Sequence, residues 1–192
     1  MRMMGMLDSA YHTSWFIFFL LNVLFVSLIV TIISLFIFKY SNILLMFVFY
    51  FLYGLSLFGY MMIFIAIFKE VKTGTPIFTI IHLILYYIRW TMPDGKTSYF
   101  VRTLSCFIPN LAVNNFSLVL WNLEEQKIGL HFSSLTTMMF NFWISTYYIV
   151  QFFNFFIYLA IGLYLTYTLP SEFGSQESKL FCLRYLKCKW RN

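Results

Sequence analysis

From Thr13 to Phe38 the chain carries no charged residue. An α-helix rises about 1.5 Å per residue, so this run crosses a hydrocarbon core of ~30 Å with length to spare. A soluble core in a chain of 192 residues cannot hide several such segments, and the rest of the sequence repeats the pattern. Hydrophobic residues make up 61% and charged residues 10%, against about 25% charged in soluble domains. Lipid is therefore the solvent for much of this surface. The 25 Phe and 14 Tyr suit lipid-facing helices with rings at the interface.

Charges punctuate the chain and set the expected spans. The first runs from Trp15 to Ile37, and Lys39-Tyr40-Ser41-Asn42 turns the chain. The second runs from Ile43 to Phe68, before the charged loop Lys69-Glu70-Val71-Lys72-Thr73-Gly74. Pro76 suits the first turn of a third, shorter span, Ile77 to Trp90. Pro93-Asp94-Gly95 is a turn signature. The stretch 103–140 is apolar but interrupted by Pro109, Asn110, Asn114, Asn115 and the charged Glu124-Glu125-Gln126-Lys127. It reads as a re-entrant hairpin, with 103–123 and 132–140 as its arms, tolerated where protein or water satisfies its backbone. The alternative makes 104–123 a full fifth span. Phe142 to Thr168 is the last span, and 169–192 is a basic tail.

The fold class expected is thus an all-α polytopic membrane protein with four transmembrane helices and a re-entrant hairpin. Of the 13 Lys and Arg, eight fall on the side that holds both termini and the 69–72 loop. The positive-inside rule makes that side cytosolic and the hairpin exoplasmic. The first apolar run is too long for the core of a cleavable signal peptide.

The net charge of +6 does not indicate nucleic acid, because the basic residues flank apolar runs and form no stripe. Cys106, Cys182 and Cys188 have no disulfide or zinc spacing. The last two, in the basic tail, suit either free thiols or palmitoylation. Gly95-Lys96-Thr97 lacks the upstream glycine of a phosphate-binding loop, since Trp90 stands there and a membrane span precedes it. No nucleophile, base or metal cluster is legible, so the chain is not expected to be an enzyme by itself.

Polar residues inside the spans have two readings. Ser27, Thr31 and Ser34 share a face of the first span, and Asn141, Ser145 and Tyr148, with Gln151 at the edge, share one of the last. They fit a polar path, and equally fit hydrogen bonds between helices or back to their own backbone. His82, within the third span, fits either gating or packing. Adjacent Glu124 and Glu125 point about 100° apart on a helix and read as a solvated tip. Asn115-Phe116-Ser117 matches a glycosylation acceptor.

Four segments taken in order resemble the A subfamily of ABC transporters. The first is Met3-Met4-Gly5-Met6-Leu7-Asp8-Ser9-Ala10-Tyr11 with Ser14-Trp15-Phe16, similar to the family's cytosolic approach to a span. The second is Phe51-Leu52-Tyr53-Gly54-Leu55-Ser56 with Phe68-Lys69. The third is Phe107-Ile108-Pro109 followed by 125–135, similar to the family's exoplasmic helices that re-enter the outer leaflet; Lys127 stands where the family often has glycine. The fourth is Leu169-Pro170-Ser171-Glu172-Phe173-Gly174 with Lys187-Cys188-Lys189-Trp190.

The resemblance implies the last four spans of one six-span half of a lipid exporter. ATP and magnesium would then bind a nucleotide-binding domain outside these residues, on the same polypeptide or a partner. The other expected partners are membrane lipid and the second transmembrane half. Met3, Met4, Gly5, Lys69, Glu70 and Lys72 would face the ATPase and couple to it. Pro109, Glu125 and Gly129 would belong to the exoplasmic hairpin. The rival reading is a stand-alone four-span scaffold or regulatory protein.

Overall fold

A computed structural model describes residues 8–68, 71–88 and 97–169. Met3, Met4, Gly5, Lys69, Glu70, Arg89, Trp90, the 93–95 turn and the tail from Pro170, with Cys182 and Cys188, lie outside the described residues.

Helix α1 (Asp8–Ile37) turns through Lys39–Asn42 into α2 (Ile43–Ile67). Asn42 starts α2 because its extended backbone lets its side-chain oxygen accept the Leu44 N–H at 2.9 Å. Helix α3 is Val71–Ile88. It begins six residues before the expected start, so Pro76 sits inside the helix rather than at its first position. A proline this near a helix start removes only one i→i−4 bond, to the carbonyl four residues back.

The region expected as a re-entrant hairpin is two helices, but not with the expected arms. Helix α4 (Tyr99–Phe107) is capped by Ser98, and α5 (Pro109–Glu125) follows after the single residue Ile108. Pro109 causes the break. It has no N–H to continue α4, its ring holds Ile108 extended (φ −88°, ψ 116°), and it then serves as the first residue of α5. No single helix covers 104–123. The expected second arm, 132–140, is a one-turn 3-10 helix (Ser133–Thr136) followed by a two-residue β-hairpin. Strands β1 (Met138–Met139) and β2 (Phe142–Trp143) pair through a turn in which Phe140 and Asn141 both have positive φ, 52° and 62°. Two-residue hairpin loops need that conformation. Asn141 therefore does not lie on the face of α6 with Ser145 and Tyr148. Helix α6 (Ile144–Thr168) ends the described chain.

Three helices among the described residues have the length and apolarity to cross a membrane: Thr13–Ile37, Ile43–Ile67 and Ile144–Thr166. The shorter α3 is not one of them by that measure.

Helices α2 and α6 run parallel and form the central pair. Two glycines allow the approach. A Cβ on Gly59 would sit 2.9 Å from the Leu159 backbone nitrogen, and one on Gly162 would sit 2.7 Å from Met62 Cβ. Without a hydrophobic force between helices in lipid, close backbone packing of this kind carries much of the association. Helix α1 packs antiparallel on α2, with Val23 against Gly54 and Phe16 and Phe19 against Phe58. Helix α3 packs beside α2, with Phe78 against Tyr60 and Phe64. The dense core lies where α2, α5 and α6 meet. Met46, Phe49, Phe116, Leu120, Leu130, Phe142 and Tyr147 are buried there, and the Phe49 and Phe116 rings stack at 3.6 Å.

Candidate functional site

The tip of the α4–α5 hairpin sits halfway along the two central helices. Asn154 lies ten residues into α6 and Tyr53 ten residues into α2, each about 15 Å from the helix start. Breaking a helix there frees backbone carbonyls that have no water to bond in an apolar surround. Side chains of α6 meet them. Asn154 Nδ2 donates to the Cys106 and Phe107 carbonyls at 2.9 and 3.3 Å, and the Tyr158 hydroxyl donates to the Phe107 carbonyl. On the other flank Asn110 Nδ2 donates to the His82 carbonyl at 2.9 Å, and Asn110 Oδ1 accepts from the Tyr53 hydroxyl at 3.4 Å. Asn114 Nδ2 repeats the contact one turn on, to the Tyr86 carbonyl at 3.1 Å. Asn115 Nδ2 donates to Ser105 Oγ at 3.1 Å and ties the two arms together. The asparagines that interrupt the apolar run are thus the pegs that seat the hairpin.

Asn115 is 2% exposed. Its nitrogen, the atom a glycan would need, is spent inside the hairpin, so the acceptor pattern is folded inward. At His82 the backbone carbonyl does the polar work. The imidazole lies 5.5 Å from the Phe78 ring, and its buried Nδ1 has no hydrogen-bond partner among the described residues.

A second constellation closes the end of the bundle where α1 turns into α2. Helix α5 ends in a turn that bonds the Ile128 and Gly129 N–H groups to the Leu123 carbonyl at 3.0 and 3.1 Å, a left-handed helix stop. Lys127 (φ 58°) and Gly129 (φ 68°) take the positive angles. The turn brings Glu124 onto the α1–α2 loop. Its carboxylate accepts from the Tyr40 N–H at 2.8 Å and the Ser41 hydroxyl at 3.1 Å. Ser41 Oγ accepts from the Leu130 N–H at 3.0 Å, and the Asn42 N–H donates to the Leu130 carbonyl at 2.8 Å. Gly129 lies so close that a Cβ would stand 2.1 Å from the Tyr40 carbonyl oxygen.

Glu124 is therefore no solvated tip: it is half-buried and clasps the loop, while Glu125 beside it is exposed. Gly129 is the contact point of the clasp and Pro109 the break of the hairpin. Lys72 stands exposed in the first turn of α3. Glu124, Ser41, Asn154 and Tyr158 escaped sequence reasoning because their partners lie tens of residues away. The one available signal was that amides inside an apolar span need a reason to be there.

Ser27, Thr31 and Ser34 are buried and bond back to the carbonyls of Leu24, Ser27 and Val30 at 2.9, 2.6 and 2.7 Å. Ser34 Oγ also lies 3.2 Å from the Tyr50 hydroxyl, from which it can accept. Self-satisfaction and helix pairing account for this face. Beside it α1 and α2 enclose an apolar groove of 420 Å³ walled by Val23, Val26, Val30, Tyr53, Leu57 and Met61, within the size range of small-molecule sites. No group of three or more potential metal ligands occurs among the described residues.

Three apolar helices of membrane length, packed with a broken helical hairpin, are the mark of a helical integral membrane protein. The chain is similar to the cholesterol transporter ABCA5 of Homo sapiens, at 27% identity over 194 aligned positions, which cover 96% of this chain and 11% of that protein. The proteins of the same name from Mus musculus and Rattus norvegicus each align at 26% identity with the same coverage. No protein-family model matches the chain. The similarity supports a relation to the A subfamily of ABC transporters, and the chain spans about a tenth of the length of the relatives it matches.

Proposed function

We propose that this chain is a transmembrane part of an ATP-driven, ABC-type transporter that moves lipid, of the sterol class, across a membrane. The observation that carries the reading is the alignment of 96% of the chain with a cholesterol transporter. On this reading α1, α2, α3 and α6 are the four spans. At 18 residues, α3 reaches about 27 Å, close to the bilayer core thickness. The α4–α5 hairpin enters from the exoplasmic side, and its asparagine pegs satisfy the broken backbone in the hydrocarbon. The Glu124–Ser41–Gly129 clasp then sits at the exoplasmic surface, and both termini are cytosolic. The apolar groove between α1 and α2 offers lipid a wall continuous with the membrane.

ATP, bound with magnesium on a nucleotide-binding domain of the same polypeptide or a partner, would supply the energy. In this chain Lys69, Glu70, Lys72 and the Met3–Gly5 segment would face that domain and pass its movement to the spans. A second transmembrane half would complete the pathway.

Purification of the endogenous protein in lipid nanodiscs, with peptide sequencing by mass spectrometry, tests the reading. It predicts an ABC-type ATP-binding domain in stoichiometric amount and ATPase activity that rises with added cholesterol. A preparation that holds no such domain and hydrolyses no ATP contradicts the reading and favours a stand-alone four-span scaffold.

A further inference from the structure

We infer that a water molecule is bound inside the protein between α6 and the α4–α5 hairpin, held by Gln151 and Asn154. Both residues are fully buried, at 0% exposure. Gln151 Nε2, Gln151 Oε1 and Asn154 Oδ1 have no hydrogen-bond partner among the described residues. The two side chains are three residues apart on α6, which makes them neighbours on one face. That face meets the hairpin, since Asn154 Nδ2 already holds the Cys106 and Phe107 carbonyls. One turn before Gln151, Tyr147 and Tyr148 pack on the Phe116 ring. One turn after it, Phe155 lies against Phe16.

An amide sealed among rings with its donor and acceptor idle is costly, and proteins meet that cost with internal water that makes two to four hydrogen bonds. The chemistry selects the ligand. It must accept from an N–H at Gln151 Nε2 and donate to an amide oxygen, so it is neutral, small and both donor and acceptor. Hard cations take six or more oxygens, more than these two amides offer. A water there gives the hairpin tip a polar contact that can exchange partners without stranding an amide. The inference does not depend on which lipid the protein moves.

X-ray hydroxyl-radical footprinting of the full chain in nanodiscs tests it. Radicals form from water where it is bound, so residues beside an internal water oxidise although bulk reagents do not reach them. Cys106, at 0% exposure and with its carbonyl on Asn154, is the reporter. N-ethylmaleimide measures bulk access to the same thiol, and the buried Phe49–Phe116 pair supplies the dry-core baseline.

With each residue's oxidation normalised to its own rate in the denatured chain, the expected result is oxidation of Cys106 well above that baseline, with no alkylation. Footprinting in water enriched in oxygen-18 after long incubation should carry the label into the Cys106 product. Gln151→Leu should lower the oxidation about fivefold by removing two of the polar atoms that hold the water. Normalised oxidation of wild-type Cys106 no higher than the Phe49–Phe116 baseline overturns the inference without any variant. Unchanged oxidation in a folded Gln151→Leu protein overturns it as well.

Discussion

Replacing Gly129 by alanine is a single-methyl test of the clasp between the α5–α6 connection and the α1–α2 turn. Two costs add. Gly129 has φ 68°, and an L-residue there carries roughly 1–2 kcal/mol of strain. The new Cβ would also stand 2.1 Å from the Tyr40 carbonyl oxygen and 2.4 Å from its carbon, so the two backbones must separate. The clasp holds four hydrogen bonds: Tyr40 and Ser41 to Glu124, Leu130 to Ser41, and Asn42 to Leu130. Each contributes about 1 kcal/mol, and loss of two or so brings the total to about 3–4 kcal/mol. For a chain of this size each kcal/mol moves Tm by about 2–4 °C, which predicts a fall of roughly 10 °C. Tryptophan-fluorescence melting of purified wild type and Gly129→Ala in the same nanodiscs measures it. A fall of less than about 2 °C, below the strain cost alone, would show that this close approach is not present in the folded protein.

Four further outcomes are expected. Lys127 adopts φ 58° where glycine has no Cβ penalty, so Lys127→Gly should stabilise the protein by about 1 kcal/mol, seen as a rise in the same melt. Gly162→Val should push α6 off Met62 of α2 and cost about 3 kcal/mol or more through overpacking, read as loss of monodisperse protein in gel filtration. Asn154→Leu combined with Tyr158→Phe strips the donors from the hairpin tip, leaving the Cys106 and Phe107 carbonyls unpaired at about 1–3 kcal/mol each. Limited proteolysis should then cut within 99–125 faster than in wild type. Cys106, wholly buried, should resist alkylation in the folded protein and react after denaturation, as mass shift reports.

The long helices were legible because charge-free runs leave few alternatives. The expected spans 15–37, 43–68 and 142–168 lie on the three helices long and apolar enough to cross a membrane, although α1 itself begins earlier, at Asp8. Sequence and structure part where short-range chemistry overrides apolarity. Phe142 and Trp143 look like span residues, yet they pair as a strand with Met138 and Met139. Pro76 suits a helix start by its sequence but stands in the sixth position of α3, where it leaves the Lys72 carbonyl without its i→i−4 donor. Pro109 was visible as an interruption, and only the fold shows that it is the break between two arms on one side of it and the other.

The site was less legible than the spans, for one physical reason. Its contacts join residues far apart in sequence: Glu124 to Tyr40, Asn154 to Cys106, Asn110 to His82. The period of a helix says which residues share a face, but not what that face meets. Gly129 lay within a motif, and its positive φ and the backbone it touches explain the glycine. Glu124 reads from sequence as one of two equivalent acids, and only its end-of-helix position relative to the α1–α2 loop separates it from the exposed Glu125.

The decisive measurement is ATP-dependent sterol movement by the purified complex that contains this chain, reconstituted in vesicles with labelled cholesterol. Cholesterol transfer between leaflets or to an acceptor should require hydrolysable ATP. Lys69→Glu with Lys72→Glu should lose this transfer while ATP hydrolysis continues. Cholesterol movement that is the same with and without ATP would contradict the proposed function.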